Sequence, residues 1–197
     1  MSDPAPKLAT YADLVALSDD VRGEVIAGTL QSAPAPSPKH SKAQGAVRRF
    51  VGGPFDDDDG HGGPGGWWIF VEVDVALSTH DVVRPDVAGW RRERLRDPGE
   101  KRPIEIVPDW VCEVLSPSTA KRDRVDKRNL YATHGINHYW IIDVDARALE
   151  AFELDQGRWV LVGNHDEAAV VRIAPFDAIE IAVGRLFLPN GFAESGL

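Results

Sequence analysis

Residues 110–116, WVCEVLS, set the narrowest condition on any fold for this chain. Trp110, Val111, Cys112, Val114 and Leu115 read as a short buried strand, and Glu113 stands in its middle. Stripping an ionised carboxylate of water is costly, so a buried Glu is rare unless something pairs with it. An ammonium group or a metal cation beside Glu113 would keep it charged.

The next helix offers the ammonium. DRVDKRNLYATHG (123–135) has a helical pattern that Gly135 stops. At about 100° per residue, Leu130, Tyr131 and His134 all fall within roughly 60° of Lys127. Lys127 therefore occupies the middle of the most apolar face, where a lysine either snorkels to water or meets an anion. Few residues join this helix to the strand before it, so Glu113 and Lys127 are expected to come close. A lone Glu–Lys pair is most simply structural. Asp86, after Pro85 in VVRPDVAGW, adds a second carboxylate from a neighbouring strand. Two such carboxylates can hold a hard divalent cation, with a lysine to orient water or phosphate, a set suited to phosphodiester hydrolysis.

Elsewhere the pattern predicts a short helix over TYADLVALSD (10–19) capped by Thr10, two short strands over GEVIAGTLQSA, and a helix over 39–53 ended by its glycine pair. WWIFVEVDVAL (67–77) reads as one strand, and DVVRPDVAGW as a second, broken at Pro85. HYWIIDV, ALEAFEL, RWVLVG, AVVRIA and IEIAV close the chain as a strand meander. Between them, DDDDGHGGPGG (56–66) is an acidic, glycine-rich, flexible loop; Gly60 and Trp67 stand where a calcium-binding loop needs oxygen ligands.

The composition narrows the setting. At 197 residues the chain suits a single domain, and no run approaches the ~20 apolar residues that span a bilayer. MSDPAPKLATYADL has neither a basic start nor an apolar signal core, so a cytoplasmic protein is expected. The single Cys112 excludes an intrachain disulfide and suits a core position. A net charge of -9 argues against indiscriminate nucleic-acid binding. The exception is residues 91–128, with eleven Lys/Arg against eight Asp/Glu, where a local basic surface competes with ordinary solvated charge.

RPD, VCEVLSPST and DRVDKRNLYATHGINHYWIIDV together resemble the Uma family of restriction-endonuclease-like proteins, within the PD-(D/E)xK nuclease superfamily. GEVIAGTL, APAPSPKH and the strand containing Glu72 fit as well, so the resemblance spans roughly 10–155. It implies an α/β fold, a restriction-endonuclease-like mixed β-sheet flanked by helices with a C-terminal strand meander. It implies catalytic Asp86, Glu113 and Lys127, with Glu24 as a fourth acidic position and His40 as a phosphate or water contact. The metal, Mg²⁺ or Mn²⁺, would sit on Asp86, Glu113 and the carbonyl of Val114. Nucleic acid, DNA in the first instance, would be the substrate, and homodimers are common among such folds. The chain departs from the superfamily at Leu115, where the lysine usually stands; Lys127 takes its place from the helix. It also has Ala27-Gly28-Thr29 where relatives read Asp-Gly-Glu.

Other candidates have plainer explanations. Glu72 and Asp74 suit the solvent face of a strand, and Ser116, Ser118 and Thr119 suit turns and caps. His134 and His138 lack a third zinc ligand. Against the nuclease stands a non-catalytic interaction protein that keeps the fold, with Glu113–Lys127 as an internal ion pair.

Overall fold

The computed structural model describes residues 7–17, 21–57 and 63–189. Helix α1 (Tyr11–Val15) opens on a capping box between Thr10 and Asp13. Strands β1 (Arg22–Ile26) and β2 (Thr29–Ala33) form a hairpin whose turn residues, Ala27 and Gly28, both have positive φ. Ser37 caps α2 (Pro38–Val47) by accepting from the His40 N–H, and Pro38 occupies the first turn, where no helical N–H is lost.

The glycine pair does not end this helix. Gly52 and Gly53 keep right-handed φ, and the chain continues through a wider, π-type segment (Arg48–Gly52) into α3 (Gly53–Asp56). Burial of Val51 and Phe55 in the core carries it past the expected stop. The centre of the predicted acidic loop, 58–62, lies outside the described residues.

The expected strand over 67–77 is two strands. β3 (Trp67–Val71) ends where Glu72 takes φ 52°, and β4 (Val75–Ser78) belongs to another sheet. Alternation alone cannot reveal a reversal of backbone hand. Pro85 does break the next segment, into β5 (Asp81–Val83) and β6 (Val87–Arg91).

β7 (Trp110–Leu115) leads through a π-type segment (Arg122–Lys127) into α4 (Arg128–Thr133), stopped by Gly135 at φ 72°. β8 (His138–Asp143), β9 (Ala148–Asp155) and β10 (Arg158–Asp166) form the predicted meander, followed by the short pair β11 (Val170–Val171) and β12 (Ile181–Ala182). The large sheet has order β10-β9-β8-β7-β6-β3 and the smaller one β2-β1-β5-β4. In the large sheet only β7 and β8 run parallel, as a helical crossover between strands requires.

β7 is buried throughout because both of its faces are covered. Trp110, Cys112 and Val114 join a core with Ala43, Val47, Trp140 and Phe176. Phe176 sits 4.8 Å from the Trp110 ring and 5.6 Å from that of Trp140, tying the C-terminal segment to the sheet. Val111 and Leu115 face the other way, toward Tyr131, Tyr139 and Ile141. Glu113 shares that second face, so its carboxylate points at the crossover helix.

Candidate active site

The side-chain alternation of β7 aims Glu113 at Lys127, and the two meet: Nζ to Oε1 is 2.9 Å, with both residues 2% exposed. Lys127 also lies 2.7 Å from Glu24 Oε1 and 3.8 Å from Asp123 Oδ1. Tyr131, one turn further on, donates to the same Glu113 oxygen at 2.5 Å. The antiparallel register Val87↔Cys112 brings Asp86, just before β6, level with Glu113. Asp86 Oδ2 accepts from the Val114 N–H at 2.7 Å, so Val114 enters the site through its backbone.

Helix α2 supplies the third wall. His40 Nε2 stands 3.2 Å from Asp86 Oδ1, while Gln44, a turn later, donates to Glu72 at 3.1 Å and to the Asp86 carbonyl at 3.2 Å. Glu72 also accepts from Arg22 at 2.7 Å. These bonds hold Glu72 in its positive-φ conformation, which costs a residue with a Cβ on the order of 1–2 kcal/mol. The groups line a cleft of about 230 Å³ whose wall includes Glu24, His40, Glu72, Asp86, Glu113 and Lys127.

All five sequence-predicted side chains, Asp86, Glu113, Lys127, Glu24 and His40, thus line one cleft. Asp123 joins them unforeseen, although its spacing of four from Lys127 places it on the same helical face. Gln44, four residues from His40, carries the same kind of signal. Glu72 faces the cleft rather than open solvent, because the break in the strand turns it inward.

The electrostatics follow from burial. Desolvation pushes the Glu113 carboxyl well up from its usual range; Lys127 opposes this, and the charges of Asp123, Asp86 and Glu24 reinforce it. Asp123 is likewise raised by burial, against the pull of Lys127. Burial alone would favour a neutral Lys127 amine, but Glu113, Glu24 and Asp123 outweigh it and keep the ammonium charged. Glu24 Oε2 is buried without a hydrogen-bond partner, and its neighbour Arg122 Nε is 3.7 Å away.

Asp86 and Glu113 are donors of the kind a divalent cation takes. Buried carboxylates outnumber the buried ammonium, and the carboxyl oxygens are hard donors. Among the described residues no three or more His, Cys, Asp or Glu side chains form a ready metal cluster. Magnesium needs less, since one or two carboxylates and waters complete its shell.

Over 91–128, where a basic surface and ordinary solvated charge stood as alternatives, several cations find carboxylates. Arg94 pairs with Asp109 at 2.6 Å, Lys101 with Glu105 at 2.7 Å, and Arg124 with both Asp143 and Glu150. Glu105 and Asp109 belong to the segment itself, so only Asp143 and Glu150, the partners of Arg124, are charges brought from later strands.

The sheet, its helical crossover and the acidic cleft define a restriction-endonuclease-like protein. The chain belongs to the Uma2 family: the model described as "Putative restriction endonuclease" matches residues 8–184. A similar fold occurs in the crystal structure of a "putative nuclease belonging to DUF820" from Anabaena variabilis, at TM-score 0.69 and 20% identity, covering 91% of this chain and 97% of that one. No curated protein matches the chain.

Proposed function

We propose that the protein is a metal-dependent nuclease hydrolysing phosphodiester bonds of nucleic acid, with DNA as the first substrate to test. The observation that carries this reading is the buried Lys127 ammonium between Glu24 and Glu113, beside Asp86, on an open cleft. Asp86, Glu113 and the Val114 carbonyl would hold Mg²⁺ or Mn²⁺. Such an ion lowers the pKa of bound water and neutralises charge on a phosphoryl oxygen. Lys127, kept protonated by its carboxylate neighbours, orients the attacking water and offsets developing negative charge. Glu24 fixes the position of Lys127. His40 supplies a donor to a phosphate oxygen: burial favours its neutral form, but Asp86, Glu72 and Asp123 outweigh this and raise its pKa. Divalent-dependent cleavage should disappear in folded Asp86→Ala and Lys127→Ala proteins. Unchanged cleavage in both would remove the assignment.

A second reading has its own support. Glu113 Oε1 already accepts from Lys127 and Tyr131, and Asp86 from Val114, so the cluster is well bonded within the protein. A non-catalytic interaction protein with a structural ion pair would bind no divalent ion there.

We also propose a homodimer formed along β10, the edge of the large sheet. Val160, Leu161 and Val162 are exposed there in succession. Antiparallel pairing about Val162 sets Arg158 of each copy against Asp166 of the partner subunit, a self-complementary charge pattern. Light scattering should give twice the monomer mass, and a Leu161→Lys chain should be monomeric; a monomeric parent chain would exclude the dimer. No described helix is long and apolar enough to cross a membrane. A cytoplasmic, single-domain protein is the setting we assign.

A further inference from the structure

The lysine and arginine side chains that border the cleft are Arg22, Arg84, Arg122 and Lys127. Arg22 is hydrogen-bonded to Glu72 at 2.7 Å, Arg84 to Asp74 at 2.7 Å and Lys127 to Glu113 at 2.9 Å. Arg122 differs. Its side chain is only 14% exposed, yet it makes no hydrogen bond to any described residue, and its Nε is buried without a partner.

Neighbouring charge explains where this guanidinium sits but leaves its donors unused. Nε lies 3.7 Å from Glu24 Oε2 and 4.0 Å from Asp123 Oδ1, too far for a hydrogen bond. Glu24 is held from its other side: Oε1 accepts from the Arg84 backbone N–H at 2.8 Å and lies 2.7 Å from the Lys127 ammonium. Arg122 and Lys127 thus face opposite oxygens of one carboxylate. A guanidinium that served only to neutralise Glu24 would be expected to bond it in the paired geometry that carboxylates favour. This one stands off. A buried donor without an acceptor is costly, and such a group in a folded protein calls for a water, an ion or a ligand to complete it.

The helix winding points the same way. At about 100° per residue, an α-helix would set Arg122 roughly 140° from Lys127. The wider π-type turn over Arg122–Lys127 carries residues five apart toward one side, and both line the cleft. Lys127 has one N–H left after Glu24 and Glu113, for the water already assigned to it. Arg122 brings a planar fork of donors whose geometry matches phosphate oxygens.

We propose that Arg122 clamps a phosphate of the nucleic acid bound in the cleft, holding the strand in register with Asp86, Glu113 and Lys127. The assignment rests on the nuclease reading and adds its substrate-positioning residue. A phosphate contact fixes register without reading sequence, so the clamp serves affinity and orientation.

The test is steady-state cleavage of labelled duplex and single-stranded oligonucleotides by the full chain in saturating Mn²⁺, from about 50 to about 200 mM salt. Arg122→Ala should raise KM about 10-fold or more, the weight of hydrogen bonds to a charged group, with kcat near that of the parent. Loss of one phosphate contact should also flatten the duplex slope of log(1/KM) against log salt by about 0.9. Over that range 1/KM of the parent should then fall about 3.5-fold more than that of the variant. Arg122→Lys, which keeps the charge beside Glu24 but not the fork, should keep the slope and raise KM by less. An Arg122→Ala protein that melts at the parent temperature with the parent KM and slope, or with only kcat reduced, overturns the clamp and leaves the nuclease reading in place. If Arg122→Ala fails to fold, Arg122→Lys decides, and a parent KM there overturns the clamp. A parent chain that cleaves neither oligonucleotide removes the nuclease reading and the clamp with it.

Discussion

The ammonium of Lys127 lies 2.7 Å from Glu24 Oε1, a contact between the helix that crosses the large sheet and a strand of the smaller one. This bond makes the cleft a structural joint as well as a candidate catalytic centre. Lys127 also bonds Glu113, so its loss would strand two buried carboxylates at once.

Lys127→Ala should therefore lower unfolding free energy by about 3–5 kcal/mol, the usual cost of breaking a buried ion pair from one side. Urea denaturation at neutral pH measures it. A loss under 1 kcal/mol would mean that the carboxylates find water or protons instead.

Tyr131→Phe removes one of the donors to Glu113 Oε1 and changes little else in size. A buried acceptor deprived of a donor costs about 1–3 kcal/mol. The variant should be less stable than the parent by that amount. Equal stability would show that the phenol contributes packing alone.

Phe176 packs against Phe55, Trp67, Trp110 and Trp140, beneath the opposite face of β7 from the cleft. Phe176→Ala should cost about 3–5 kcal/mol through cavity formation. Divalent binding at the cleft should survive wherever the variant is folded, because the aromatic cluster lies on the other side of the sheet.

His138 provides a pH dependence away from the cleft. Burial lowers its pKa despite the opposing charge of Glu153, whose Oε1 is 3.8 Å from Nδ1. The folded state thus binds a proton less readily than the unfolded chain. Its contribution to stability is full above the ordinary histidine range and falls as pH drops through that range toward the lowered folded pKa. In His138→Gln, stability should decline less between pH 7 and pH 5 than in the parent. Parallel profiles would refute this.

The Glu113–Lys127 pair was legible because two short periodicities locate it, whereas Glu24 and His40 entered through the family resemblance. Alternation along WVCEVL puts Glu113 on one face, and the helical repeat puts Lys127 opposite. The position of Asp86 followed from Pro85 ending one strand and starting another. Glu72 was misplaced because VEVDV alternates without interruption, and nothing in that pattern announces a positive φ. The sign of the 91–128 surface stayed open in the sequence for a different reason. Charges close in sequence looked unpaired, while Asp143 and Glu150, from β8 and β9, neutralise Arg124 in space. Local pattern fixes which way a side chain points, and long-range topology decides what it meets.

Titration calorimetry with Mn²⁺ bears most directly on the cleft as a metal-dependent centre. The parent chain should bind the ion, and Asp86→Ala, still folded, should give no binding heat. A parent chain that binds no Mn²⁺, or an Asp86→Ala chain that binds it equally well, would contradict the account.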